Sequence, residues 1–245
     1  MKTAGKYSAI GCCADPSDPR KTDVYFSETS ALEARFDHFR SVLSADELLR
    51  ADQLHFNEMR QTFVISHGLL RLILGKNLGM NPSDIIIQKD DRNKPYLKDH
   101  SLYFNLSHTK NAFAIAICRD FQIGIDLEEV NPDLDYASIS GTVLNYTERM
   151  YVEENRAELY DRFFLLWTRK EAYLKGVGSG ITCDLSKIAS FQKRESLAMG
   201  FPEESIAGPS DKEFFVYSEK IMNYFISIAS PGRIKIQTNI IDEAF

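Results

Sequence analysis

The chain has 245 residues, 44% apolar and 11% aromatic, enough to bury a substantial core in one large domain or two small ones, which excludes a disordered protein. Its formal net charge of -6 and pI near 5.5 argue against a broad phosphate-neutralising surface, so no nucleic-acid partner is expected. No run of about 18 apolar residues occurs, and the opening MKTAGKYSAIGCC is too briefly apolar for a secretory signal, so a cytoplasmic protein with no membrane attachment is expected.

Residues 44–78 carry apolar side chains at helical intervals, notably Phe63, Leu70 and Leu74, and Ser44 with Glu47 forms a capping-box pattern. Strand-like segments follow at 84–88, 102–106, 112–118 and 122–127. A second helical region spans about residues 147–175, and strands return near 214–217, 224–230 and 233–238. Helix followed by strands in each half predicts an α+β fold of two similar lobes, 1–120 and 121–245, with a shared cleft. The cysteines, Cys12, Cys13, Cys118 and Cys183, lack the paired spacing of a zinc site and fit reduced thiols.

Three groups of residues can carry chemistry. In Ile123-Gly124-Ile125-Asp126-Leu127-Glu128 the apolar residues alternate with the acids. A continued strand therefore puts Asp126 and Glu128 on one face, Cα atoms ~6.6 Å apart, close enough to share a hard cation and to repel one another without it. Along the helix, a ridge of Phe163, Trp167, Glu171 and Lys175 runs from large aromatics into an acid and a base. A carboxylate-held magnesium ion with a nearby ammonium suits a pyrophosphate. The third group, Arg92-Asn93-Lys94-Pro95-Tyr96-Leu97 followed by Phe104-Asn105-Leu106-Ser107-His108, offers further phosphate donors.

In order and spacing these segments, NKPYL, FNLSH, IGIDLE and WTRKEAYLK, resemble the motifs of the Sfp-type 4′-phosphopantetheinyl transferases. The resemblance extends to LSADELLRADQLHF and HGLLRLILG and covers roughly residues 40 to 185. It implies a pseudo-twofold pair of α+β lobes with coenzyme A and Mg2+ between them. It also implies transfer of the 4′-phosphopantetheine arm to a serine of an acyl or peptidyl carrier protein, releasing adenosine 3′,5′-bisphosphate. Asp126, Glu128 and Glu171 match the metal-binding acids, and Lys175 the lysine at the pyrophosphate. Lys94, Ser107 and His108 match residues around the nucleotide, and Arg50 a basic position near its 3′-phosphate. Either Glu171 or Glu148 is the expected acceptor of the serine proton. Asn93 stands where the family commonly has glycine, and Glu129 adds an acid beside the metal pair. Val143, Tyr146, Met150 and Tyr151 fall where the family offers carriers an apolar ledge. A monomer is expected, since one chain supplies both lobes. The rival readings are a non-catalytic coenzyme A or carrier-binding regulatory module and a metal-dependent phosphodiesterase using the same acids.

Overall fold

The stretch Ala112–Cys118 reads AFAIAIC, and in the computed structural model of the protein it is a strand buried along its whole length. Its large residues Phe113, Ile115 and Ile117 enter one core, while Ala112, Ala114, Ala116 and Cys118 face another. Small side chains on that second face let a second sheet approach closely. The structure describes residues 21–179, 184–190, 203–206, 208 and 214–243. Cys118 is a buried free thiol; Cys12, Cys13 and Cys183 lie outside the described residues.

In chain order the first half contains β1 (Lys21–Glu28), α1 (Phe36–Ser41), α2 (Ala45–Asp52), α3 (Asn57–Leu78), β2 (Ile87–Lys89), β3 (Pro95–Leu97), β4 (Tyr103–His108) and β5 (Ala112–Cys118). The second contains β6 (Gly124–Glu129), α4 (Tyr136–Val143), α5 (Tyr146–Glu153), α6 (Leu159–Val177), β7 (Glu203–Ile206), β8 (Phe214–Ile221), β9 (Tyr224–Ser230) and β10 (Lys235–Ile240). One sheet has the order β10-β1-β5-β4, the other β6-β9-β8-β7, and β2 and β3 form a small hairpin. Helix α3 covers the outer face of the first sheet and α6 that of the second. The inner faces meet through Val24, Phe26, Ile125, Leu127, Ile226 and Ile228, giving the expected α+β architecture. One strand crosses the division at residue 121: β10 returns to pair in parallel with β1, so the carboxyl-terminal strand completes the first sheet.

Both lobes are built around the same polar device. Ser44 and Glu47 close a capping box on α2, and Asn145 and Glu148 close one on α5. Each capping glutamate then takes a buried base from the following long helix, Arg71 of α3 at 2.6 Å in one case and Lys170 of α6 in the other. Each base also donates to carbonyls of the short 3-10 turn beyond its helix, Arg71 to Pro82 and Lys170 to Leu185. This repetition was hidden from the sequence because its members differ: Ser and Asn cap, Arg and Lys pair.

The two long helical segments expected from periodicity are each broken into a short and a long helix. The breaks hold because an arginine serves the stranded carbonyls: Arg60 donates to Ala51 and Leu54 oxygens at 3.2 and 2.8 Å, and Arg162 to that of Tyr151 at 2.7 Å. The segment expected as strand at 84–88 begins later, at Ile87, because Asn81 caps a 3-10 turn over Pro82–Asp84.

Helix α6 lies against β6 with no room for a side chain between them: a Cβ on Gly124 would sit 2.0 Å from the Ala172 oxygen and 2.2 Å from the Gly176 nitrogen. Gly124→Ala must push α6 off the strand and should lower stability by at least ~3 kcal/mol. Gly141, inside α4, has open space where its Cβ would be, so Gly141→Ala should raise stability by ~0.5–1 kcal/mol. Urea unfolding of the two variants checks both signs; equal behaviour would contradict the close approach.

Candidate functional site

Strand β4 ends one sheet and β6 begins the other, so side by side each would present a row of unpaired backbone groups. Asn105 and Ser107 share a face of β4 and bridge the gap. Asn105 Oδ1 accepts from the Ile125 N–H at 2.7 Å, and Ser107 Oγ accepts from the Leu127 N–H at 3.2 Å. The N-x-S spacing thus matches the two-residue repeat of β6.

The Ser107 hydroxyl also donates to Asp126 Oδ1 at 3.1 Å, and Lys175 Nζ donates to both Ser107 Oγ at 2.9 Å and Asp126 Oδ1 at 2.6 Å. One hydrogen and two lone pairs exhaust a hydroxyl, and all three are used. Ser107, expected to contact coenzyme A, is instead a brace that fixes Asp126 and Lys175. Asp126 Oδ2 is buried without a hydrogen-bond partner among the described residues.

Glu128 follows Asp126 on the same face of β6, and Glu171 approaches from α6, which the Gly124 contact holds in register. Burial pushes the Glu128 carboxyl up to about 8, the Asp126 and Glu171 charges adding to the rise while Lys175 opposes it. Burial, then the charge of Asp126, raises Glu171 to about 7, again against Lys175. The acids thus destabilise one another's charged forms. Among the described residues no group of three or more acids, imidazoles or thiols stands close enough together to hold a metal ion by itself. Mg2+ does not require one: it commonly takes one or two carboxylates and fills its shell with water and substrate oxygens. The unpartnered, buried Asp126 Oδ2 and the crowding of hard oxygen donors fit such an ion, with Asp126, Glu128 and Glu171 as the residues that would hold it.

Two expected site residues point elsewhere. Lys94 Nζ donates to the carbonyls of Ile123 at 3.3 Å, Gly176 at 3.4 Å and Lys175, and Arg92 donates to Gly178 at 2.9 Å. The NKP turn is therefore a clip on the carboxyl-terminal end of α6, where cations are favoured, rather than a free phosphate donor. Asn93 occupies the left-handed region at φ 64, which explains why glycine or asparagine suits this place. Glu148 is 1% exposed and lies in the core. Its Oε2 accepts from Asn145 N and Lys170 Nζ, and its Oε1 from the nitrogen and hydroxyl of Ser190. All its lone pairs are filled, so it has no capacity left for a substrate proton.

His108 stands at the end of β4, part of its surface open to solvent and its ring tucked among neighbouring groups. Burial of its ring, then the charges of Lys175 and Arg50, lower its pKa, so these three groups share one region. Arg50 stands with its guanidinium carbon 5.5 Å from the Phe63 ring centroid. The structural role of Asn105 was missed from the sequence, although its place two residues before Ser107 carries the signal. His67 was missed too; it lies one helical turn beyond Phe63, stacked on it at 3.9 Å.

Replacing Asn105 by Leu strands the Ile125 N–H, and replacing Ser107 by Ala strands the Leu127 N–H. Each should cost ~1–3 kcal/mol of stability, measured by chemical denaturation. A neutral result at both positions would contradict the side-chain bridge.

A sequence model described as the 4′-phosphopantetheinyl transferase superfamily matches residues 122–228, and one described as 4′-phosphopantetheinyl transferase, N-terminal, matches residues 28–119. Among curated proteins, the chain is 38% identical over 157 residues to the 4′-phosphopantetheinyl transferase HetI of Nostoc sp., covering 61% of this chain and 65% of that one. It is 27% identical over 158 residues to the 4′-phosphopantetheinyl transferase psf-1 of Bacillus pumilus, covering 64% of this chain and 66% of that protein. It is 24% identical over 155 residues to the 4′-phosphopantetheinyl transferase Sfp of Bacillus subtilis, covering 62% and 68%. The chain thus spans just under two thirds of the length of the first two of these relatives. With matches that together take in most of both lobes, the chain belongs to the 4′-phosphopantetheinyl transferase superfamily.

Proposed function

We propose that this chain is a magnesium-dependent 4′-phosphopantetheinyl transferase, acting as a cytoplasmic monomer on coenzyme A and an apo acyl or peptidyl carrier protein. The observation that carries this reading is Lys175, held on Ser107 and Asp126 beside three mutually repelling acids. That arrangement suits a pyrophosphate. When bound, Mg2+ would neutralise charge on the pyrophosphate oxygens and relieve repulsion among Asp126, Glu128 and Glu171.

The chain's own residues supply the rest. Lys175 offers an ammonium where negative charge grows as the P–O bond to the departing adenosine 3′,5′-bisphosphate breaks. Arg50 adds positive charge toward the nucleotide end, and His108 a neutral imidazole able to donate one ring N–H. The carrier serine oxygen bonds to the β-phosphorus and loses its proton; with Glu148 saturated, Glu171 is the carboxylate that can take it, directly or through water. No helix among the described residues is long and apolar enough to cross a membrane.

Incubation of the purified protein with coenzyme A, Mg2+ and an apo carrier tests the whole reading: holo carrier should accumulate with many turnovers. Binding without turnover would point to a regulatory module, and phosphate-ester cleavage without carrier modification to a phosphodiesterase. Asp126→Asn and Glu171→Gln should each lower kcat/KM at least ~100-fold. Glu148→Gln leaves the Lys170 charge buried without its counterion and should cost ~3–5 kcal/mol of stability, while the folded fraction turns over at close to the parent kcat. A severe kcat loss in well-folded Glu148→Gln would restore it as the base.

The expected carrier ledge divides in two. Val143 and Tyr151 are buried in the core of the second lobe, whereas Tyr146 is 71% and Met150 52% exposed on α5. The two exposed side chains are the ones available to a carrier. Because the protein is net negative, apolar burial should outweigh long-range attraction to an acidic carrier. Met150→Glu is expected to raise the carrier KM about ten-fold, with the coenzyme A KM nearly constant, in steady-state assays. An unchanged carrier KM would remove Met150 from the interface.

A further inference from the structure

Behind the NKP turn lies a second cavity of about 240 Å³, set between the β2–β3 hairpin and the start of β4. Lys94 and Pro95 line it, and they also line the cleft beside Glu171 and Lys175, so the turn is a partition between two spaces. One wall is a ladder of rings, Tyr96 of β3, His100 of the following loop and Tyr103 of β4. Their centroids stand 5.5 and 6.1 Å apart, with planes inclined by 13° and 27°. His100 takes the left-handed region at φ 52, a conformation uncommon for a residue with a Cβ, and so keeps its ring between the tyrosines. Leu102 and Phe104, both members of the first core, supply the apolar part of the lining. Rings that served only to pack the loop would leave no such space beside them.

The carboxylate that lines this cavity is Asp90. Its Oδ1 accepts from the N–H groups of Arg92 at 2.9 Å and Lys94 at 2.8 Å, which closes the turn and leaves Oδ2 outside those two bonds. The basic side chains of the turn are directed to α6 and its approach: Arg92 donates to the Gly178 carbonyl, and Lys94 Nζ to those of Ile123, Lys175 and Gly176. The cavity therefore joins a carboxylate to electron-rich ring faces, with the turn's own cations committed elsewhere. A carboxylate and π faces both favour a cation, and the ring and apolar surface favours an aromatic body. An apolar cavity of about 150 Å³ is enough for benzene. The larger space here takes one ring and a short side arm.

We propose that this cavity binds a small aromatic ammonium ion, its ring continuing the ladder of Tyr96, His100 and Tyr103 and its ammonium donating to Asp90 Oδ2. Three analogues separate the contributions. An arylalkyl amine makes both contacts; the matching neutral alcohol keeps the ring contact and loses the charge; the matching carboxylate is repelled by Asp90. Because the NKP turn stands between this cavity and the cleft of Glu171 and Lys175, such a ligand and coenzyme A occupy different places.

The test is to titrate the full chain with 2-phenylethylamine, 2-phenylethanol and phenylacetate near neutral pH, following each ligand by NMR. The amine should bind with a Kd of about 1 mM or below. It should bind at least about three-fold tighter than the alcohol, the contribution of an exposed ion pair, with the acid weakest. Asp90→Asn keeps Oδ1 for the two N–H groups and replaces only the second oxygen, so the turn stays closed. In that variant the amine should fall to the affinity of the alcohol, while the alcohol is unchanged. Tyr103→Leu should weaken amine and alcohol alike, by about five-fold or more. Saturating coenzyme A should leave the amine bound. Equal affinities of amine and alcohol, an amine preference that survives Asp90→Asn, displacement by coenzyme A, or no binding of the amine would each overturn the inference.

Discussion

The hydroxyl of Ser107 has one hydrogen and two lone pairs, and the junction between the two sheets consumes all three, one on the Leu127 N–H, one on Lys175 and one on Asp126. Through that single oxygen, the backbone of β6, the acid that β6 carries and the ammonium that α6 carries are set relative to β4. Asn105 repeats the backbone bridge two residues earlier, so the strand edges cannot slide by one residue without stranding both amides. The Gly124 contact then fixes α6 on the other face of β6. Displacing any one of these elements re-aims Asp126, Glu171 and Lys175 together, because none of the three is positioned independently.

The lobes share a scaffold but not a chemistry. In both, a capping-box glutamate on a short helix pairs with a base buried in the long helix, and that base ties down the 3-10 turn beyond. A buried ion pair of this kind is weak evidence for net stability, but losing one member leaves an uncompensated charge, so it strongly specifies how the short helix sits. The first copy of the scaffold carries Arg50 and His108, and the second Asp126, Glu128 and Glu171. The bases thus belong to the first lobe and the acids to the second, and Lys175 bonds Asp126 while its charge reaches His108.

Much of this was legible in the sequence where a pattern reports a periodicity. The alternation in IGIDLE put Asp126 and Glu128 on one strand face, and the four-residue ridge put Glu171 beside Lys175; these are local consequences of strand and helix geometry. The α+β class followed from the same periodicities. What the residue types did not reveal was the direction in which a polar side chain spends its hydrogen bonds. Lys94 and Ser107 have the donors a phosphate needs, yet Lys94 spends its own on backbone carbonyls and Ser107 its single hydrogen on the Asp126 carboxylate. Glu148 has a carboxylate suited to a base, yet Asn145, Lys170 and Ser190, far apart in the chain, fill it. The breaks within the helical segments were equally invisible, because the carbonyls exposed at each break are satisfied by Arg60 and Arg162 from the next helix.

Lys170 and Glu171 are neighbours on α6 that face opposite ways, and this opposition couples the docking face to the chemistry. Lys170 reaches inward to Glu148 and to the Val143 carbonyl, at the amino-terminal end of α5 and the carboxyl-terminal end of α4. Glu171 reaches outward to the acids of β6. The exposed side chains of Tyr146 and Met150 therefore stand on a helix whose first turn is tied to the residue next to the proposed base. The exposed face of α5 is thereby referred to Glu171 through one buried ion pair and one peptide bond, a path with few soft degrees of freedom, which is what the proposed carrier contact would need. Positioning of this order is what an in-line attack demands, since reacting atoms must be held close to contact distance before the barrier falls. The buried position of Glu148 thus gives it a structural part: it locates α5 against α6.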